Sequence, residues 1–544
     1  MIRRHRSSRT SGAAFAAVAG LSALAPGGCN NVKATAGAIG CTTNRECIAA
    51  QGPNFICRKE DLSCVSLTSD NCPTVYGNYE EDSTIFFGTV FPLSGTNATT
   101  GKALQNSVEL GARELDILNG LPPVTGATER RYIALVQCDD ASNNDKAVAA
   151  ATHLVADLHV PVLIGTNATG VTLKMATEVT IKNGVFMISP TATGRDLTTL
   201  DDQGLFWRTS PSSDLQIEAL AQLMPYVEAD LRASLALPAE AKISVAAAVK
   251  SDGFGTGLAK GLVESDLFTF NGLPGTSEAN RPYFLSSEYG NPDSTASTPD
   301  YDGTAAQLLA ARPHVIFMFG TNEVINELLP RLEDNWPTAA PYRPLYLFAN
   351  SGYKADLWQA IAQRDPLGVG LRRRVLGVTY GSTDRNYDVF RISYNSTFKD
   401  GSSPDVLSTS NAYDTFYLMA YAAYAAYAAG APTLTGRSVA DAMGRLVTGM
   451  PANVGPGDSN QVLSLLKAQQ SVDLVGASGP LNFDLSTGEA PSDIQIWCVK
   501  LANGVPDKQG TYAGPKLSAD TSTLVGSAPG SAFDYATLKT SCNF

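Results

Sequence analysis

A chain of 544 residues is longer than one hydrophobic core supports and should divide into two or three units. Its composition, 44% hydrophobic and 17% charged, is that of a globular protein. The formal charge of −12 argues against nucleic acid or an anionic membrane surface as partner, and the four histidines, at 5, 153, 159 and 314, show no metal-site spacing.

In chain order, the first element is an export signal. Arg3, Arg4, Arg6 and Arg9 precede the short apolar run "AAFAAVAGLSALA" (13–25), which is too short to span a bilayer. It ends in "APGGC", small residues before Cys29, a pattern similar to a lipoprotein signal with Pro26 in an unusual place. Cysteine parity supports this reading. The chain has nine cysteines, and lipidation of Cys29 leaves eight (Cys41, Cys47, Cys57, Cys64, Cys72, Cys138, Cys498 and Cys542) for four disulfides. Residues 1–28 are therefore expected to be a lipoprotein signal peptide, and the anchor the only contact with membrane.

Residues 29–81 form a polar, cysteine-rich segment with little apolar periodicity, expected to be a stalk stapled by two disulfides among Cys41, Cys47, Cys57 and Cys64. A zinc site competes, but there is no C-x-x-C pair and the compartment is oxidising.

Strands and helices then alternate. Strand-like runs occur at 84–91, 131–138, 160–165, 184–189, 242–249, 314–319, 344–349 and 374–380. Several are continuously apolar, as in parallel sheets covered on both faces. Between them, Leu104, Val108, Ala112 and Leu115 give 102–118 one apolar helical face. The order predicts an α/β fold with two parallel-sheet lobes and right-handed crossovers. The uncharged stretch 415–436 is rich in Ala and Tyr, ends at Gly430 and Pro432, and reads as a buried helix rather than a membrane span.

Enzyme motifs are missing. "GFGTGLAKG" (253–261) imitates a phosphate loop, but Leu258 stands where the third glycine belongs. There is no P-loop, H-E-x-x-H or G-x-S-x-G, so neither catalysis, a cofactor nor a metal is expected.

What does stand out is the row of hydroxyls in "GVFMISPTATGRDLTTL" (184–200), where an apolar strand empties into Ser189, Thr191 and Thr193. Turn chemistry alone explains such a cluster, and so does a ligand cleft at strand tips. Collinear segments decide between the two: "FPLSGTNATTG" (91–101), "CDDASNNDKAVAAATHLV" (138–155), "LIGTNATG" (163–170), "MISPTATG" (187–194), "FWRTSPSSDLQ" (206–216), "SDGFGTG" (251–257), "NAYDTFYLMAYA" (411–422) and "GPLNFD" (479–484). Their order resembles that of the type I periplasmic binding proteins of the leucine/isoleucine/valine-binding family over about residues 83–508. The resemblance implies two doubly wound lobes joined by three hinge crossovers, with a ligand held between them at strand tips. Lobe one would comprise 82–211 and 382–478, lobe two 212–381 and 479–510, and 511–544 a C-terminal tail. On that layout Cys72 and Cys138 lie near lobe one and are expected to pair, as are Cys498 and Cys542.

Carried over residue by residue, the resemblance makes Ser94, Thr169, Thr191 and Thr193 lobe-one ligand contacts, with Phe254, Thr321 and Ser351 facing them from lobe two. The chain departs from amino-acid binders at Thr100 and Thr321, where they place aromatics, and at Ser351, where they place the acid that neutralises the ligand ammonium. Asp214 or Asp252 could substitute for that acid. The expected ligand is a small polar metabolite, an amino acid or related carboxylate included. The expected partner is an ABC permease, or a sensor partner if the protein signals instead of feeding uptake.

If the lipoprotein reading holds, mass spectrometry of the mature N-terminus finds a diacylated Cys29. An unmodified Cys29 within a longer mature chain would refute it.

Overall fold

The computed structural model describes residues 40–382, 384–507, 511–528 and 530–544; the signal segment and Cys29 lie outside them. Two sheets organise the described chain. The first has the order Thr74–Tyr76, Ile133–Asp139, Ile85–Phe91, Val162–Gly165, Phe186–Ser189, Phe206–Arg208, parallel except for its first strand. The second has eight strands. Phe284–Glu288, Val245–Val249, Val315–Phe319, Leu345–Phe348 and Val375–Tyr380 are parallel, and Ile494–Cys498, Thr511–Ser518 and Thr523–Val525 extend them antiparallel.

The apolar runs are continuous because both faces of each sheet are covered. Leu135, Ile164 and Ile188 point into one core, while their neighbours Val136, Leu163 and Met187 point into another. The second sheet divides in the same way, Ala247 and Phe317 on one side, Ala246 and Ile316 on the other. This is the pleat acting on fully buried strands. The strands that sequence patterning missed are short or mixed in character. Phe284–Glu288 reads "FLSSE", with Ser286 and Glu288 exposed.

The uncharged stretch becomes the helix Thr409–Ala428, buried over nearly its whole length. It crosses the helix Ala98–Ile117 at Gly111, where a β-carbon would lie 2.5 Å from the Phe416 ring. Tyr413 and Tyr417 donate hydrogen bonds of 2.5 and 2.8 Å to the buried Glu114 of that helix. The tyrosines thus satisfy an acid inside the first lobe. No helix among the described residues is long and apolar enough to cross a membrane.

Three expected boundaries need correction. The cysteine-rich segment is no free-standing stalk: Ile56 and Leu67 join the lobe-one core beside Leu154, and Thr74–Tyr76 pairs with the sheet edge. A segment with so few apolar residues buries them on a neighbour because it cannot enclose them itself. The third crossover comes later than residue 478, since Leu481, Phe483 and Ala490 pack in the first lobe and Ile494 in the second. Residues 511–544 are not a tail. Their strands extend the second sheet, and the helix Tyr535–Ser541 buries Leu538 in its core.

The disulfides are Cys41–Cys57, Cys47–Cys64, Cys72–Cys138 and Cys498–Cys542. Three of these sulfurs cluster, from Cys41, Cys47 and Cys57, but bonded sulfurs offer no thiolate to zinc. Arg208 locks the crossovers from within the fold. Fully buried, it donates to the Gly194 carbonyl (2.8 Å) and to Glu489 (2.5 Å), which joins the first crossover to the approach of the third.

Cys498–Cys542 closes a loop of sequence separation 44 around the last strands of the sheet. Replacing both cysteines by alanine should lower unfolding stability by about 2–4 kcal/mol, read by denaturant titration. An unchanged midpoint would show that these strands are held by packing alone.

Candidate ligand-binding site

In a parallel sheet all carboxyl ends lie at one edge, so the loops that follow them converge. Here the converging loops come from both lobes. Lobe one presents 166–169 after Val162–Gly165 and 191–193 after Phe186–Ser189. Lobe two presents 250–254 after Val245–Val249, 321 after Val315–Phe319, and 350–354 after Leu345–Phe348. They enclose a cavity of about 60 Å³. The lobes touch across its rim. Asn322 donates to the Thr96 carbonyl (2.5 Å), Thr295 to Asp145 (3.0 Å), and the Asn144 N–H to the Asp293 carbonyl (3.2 Å).

Thr100, Thr169, Thr191, Thr193, Phe254, Thr321 and Ser351 all line this cavity. Ser94 does not. Its hydroxyl and N–H both donate to Asp139 (2.6 and 3.0 Å), which turns the side chain outward, and Asn97 borders the cavity in its place.

The hydroxyls are not equivalent. Thr191 donates to the carbonyls of Thr166 and Asn167 (2.6 and 2.9 Å), Thr321 to Glu323 (2.6 Å), and Ser351 to the Gly320 carbonyl. These three use their protons to hold loops and can offer an occupant only lone pairs. Thr169 instead accepts from the Gly194 N–H (3.1 Å), and Thr193 accepts from the Ser213 hydroxyl (3.0 Å). Each keeps its own proton to donate.

Of the charged lining, Asp252 was named from sequence, and Lys250 and Lys354 were not. Lys250, fully buried, pairs with Asp252 (3.0 Å) and with Asp293. Asp252 is therefore engaged, and Asp214 pairs with Arg195 at 2.5 Å, so neither is an acid waiting for an ammonium. Glu323 accepts from the Tyr289 hydroxyl (2.8 Å) and from the Thr321 N–H and hydroxyl (2.8 and 2.6 Å). Lys354 differs from all of these. It caps the helix Ala355–Arg364 and donates to the Asn322 side-chain carbonyl (2.6 Å), and among the described residues no carboxylate lies within ion-pair distance. Burial pushes its pKa down. A lysine opening a helix, where the dipole disfavours a cation, was the signal to look for in "FANSGYKADL".

Beside the cavity, Asp140 of lobe one and Asp293 of lobe two border one small space with Asn97 and Ser142. Burial raises the Asp140 carboxyl to about 7, helped by repulsion from Asp139 and Asp293, against the Ser142 N–H bond that lowers it.

Residues 84–230 match the periplasmic binding protein family. Two relatives are 31% identical: the Leu/Ile/Val-binding protein homolog 3 of Brucella melitensis, over 25% of this chain and 34% of the relative, and the Leu/Ile/Val-binding protein BraC3 of Rhizobium johnstonii, over 25% and 35%. The chain thus spans about a third of the length of these relatives. Solved structures extend the likeness of fold to about four-fifths of the chain. A leucine-binding protein from Thermotoga maritima superposes with a TM-score of 0.54 at 15% identity, covering 78% of this chain and 97% of its own. A solute-binding protein of an ABC transporter from Rhodopseudomonas palustris, in complex with 3,4-dihydroxybenzoic acid, gives 0.53 at 17% identity over 80% and 98%. The fold is that of the periplasmic binding proteins, and residues 84–230 carry the family match. The relatives and neighbours are binding proteins by name, not enzymes.

The raised Asp140 carboxyl makes stability pH-dependent. The unfolded carboxyl titrates near its ordinary 3.8 and the folded one near 7, so between those values only the folded form holds the proton. Stability is favoured at low pH and falls as pH rises through this window. Asp140→Asn should abolish that loss, gaining on the order of 3 kcal/mol over wild type between pH 4.5 and 8 in thermal unfolding. A difference that stays constant with pH would place the Asp140 titration elsewhere.

Proposed function

We propose that this protein is an exported solute-binding lipoprotein that captures a small organic ligand between its lobes and delivers it to an ABC-type permease. The observation that carries this reading is the make-up of the cavity: its walls are loops that follow parallel strands of two different sheets, so an occupant contacts both lobes at once. A ligand that binds the closed arrangement better than the open one shifts the hinge toward closure by that difference in affinity. Closure about three crossovers is then the signal that a permease reads. The relatedness to Leu/Ile/Val-binding proteins and to a solute-binding protein of an ABC transporter supports the same reading. Export supplies the oxidising compartment that four disulfides need, and a lipid on Cys29 would keep the protein at the membrane that carries the permease.

Two substitutions and one scattering measurement test this. Thr193→Val removes a hydroxyl that still has a proton to donate into the cavity; it should leave the fold intact and lower ligand affinity by roughly 1–3 kcal/mol. Thr191→Val removes a hydroxyl already bonded to two carbonyls, and should reduce thermal stability more than affinity. A ligand found by thermal-shift screening should contract the protein in small-angle X-ray scattering. Binding that neither contracts it nor weakens in Thr193→Val would place the ligand outside the cleft and sink the proposal.

A further inference from the structure

Granting that the cleft captures a solute, we infer its chemical class from the cavity-wall groups whose charge or hydrogen-bonding capacity the fold leaves unmet. The ligand is a small hydroxy acid without an ammonium group: its carboxylate pairs with Lys354 and its hydroxyl donates to the Asn350 side-chain carbonyl.

The cation comes first. A buried ammonium without a counter-charge is unfavourable, and the usual remedy is a carboxylate within hydrogen-bond reach. Lys354 has one neutral acceptor, Asn322, and no carboxylate within ion-pair distance among the described residues. Of the acids around it, Asp252 pairs with Lys250 and Glu323 accepts from Tyr289 and Thr321, while Asp356 and Glu323 act on Lys354 only from beyond ion-pair distance. Of the charged residues that line the cavity, Lys250 and Asp252 answer each other, and Lys354 is the one without a paired carboxylate. The helix that Lys354 caps adds its positive dipole end at the same place. Across the cleft, the Thr169 and Thr193 hydroxyls keep protons that a carboxylate can accept.

The same inventory weighs against an amino acid. Its carboxylate would be welcome, but its ammonium would be a second cation in a wall with no free acid. Ser351, standing where amino-acid binders place their acid, already donates to a backbone carbonyl.

The second group is an acceptor. Asn350 is buried, and its side-chain oxygen has no hydrogen-bond donor. Asn97, buried on the lobe-one side of the cavity, has a side-chain oxygen in the same condition. Buried acceptors are normally satisfied, so an occupant that brings a hydroxyl to this wall removes the deficit. Phe254, Val406 and Leu407 supply apolar contact for the body of the ligand.

Two matched pairs of probes test the inference by calorimetry on the full mature chain. Leucine and 2-hydroxy-4-methylpentanoate differ only in ammonium against hydroxyl; 4-hydroxybenzamide and 4-hydroxybenzoate differ in a neutral amide against a carboxylate. At least one hydroxy acid should bind, and at least tenfold more tightly than its partner. Lys354→Gln should lower its affinity tenfold or more, and Lys354→Arg should restore most of it. Without ligand, Lys354→Gln should melt at the same or a higher temperature than wild type, because it removes a half-buried charge that has no paired carboxylate, whereas a purely structural lysine would leave it less stable. Leucine binding as tightly as its hydroxy analogue, or an affinity indifferent to Lys354→Gln, overturns the inference, as does silence from all four probes. A wider metabolite screen then separates the two readings. An amino or neutral ligand that closes the lobes leaves solute capture standing and this class assignment refuted, whereas no ligand at all removes both.

Discussion

Parallel strand pairing is the constraint on which the remaining structure depends. Parallel neighbours cannot be joined by a tight turn, so each needs a crossover, and the crossovers cover both sheet faces. That covering makes Leu135 and Val136 equally buried though they point in opposite directions. It also brings every carboxyl end to one edge. The cavity is a consequence of topology before it is a consequence of any particular side chain.

Within that frame, polar groups are sorted by whether the fold has already used them. Arg208, Asp139, Glu323 and Glu114 are buried or half-buried charges surrounded by designated partners, and their work is to hold crossovers, loops and helices in place. Truncating one side of such a pair strands the other, so each fixes its neighbourhood firmly. Lys354, Asn350 and the protons of Thr169 and Thr193 are what is left over. A binding wall is recognisable here by its unmet hydrogen-bonding and charge requirements more than by the number of polar residues it holds.

The antiparallel extension of the second sheet shows how local pattern and tertiary role separate. Ile494–Cys498 alternates "IQIWC", and Thr511–Ser518 is punctuated by Gly514 and Pro515, so neither reads as part of a parallel core. Together with Cys498–Cys542 they cover the edge that Val375–Tyr380 would otherwise expose. The cysteine-rich segment does the same at the first sheet, where Thr74–Tyr76 covers the outer side of Ile133–Asp139.

Residue order by itself determined the α/β class, the two-lobe organisation and the strand tips that face the cleft. Continuous apolar runs, helical periodicity and collinear loop motifs are local signals, and local signals survive in one dimension. Seven of the eight ligand positions expected from the resemblance line the cavity for that reason. Ser94 failed because whether a hydroxyl faces a cleft depends on what else is near enough to bind it, and Asp139, 45 positions away, is nearer. Lys354 and Asn350 were missed for the complementary reason. Lacking a counter-charge or a donor is a property of the whole surroundings, and only the folded chain decides which carboxylates reach a lysine and which are already taken.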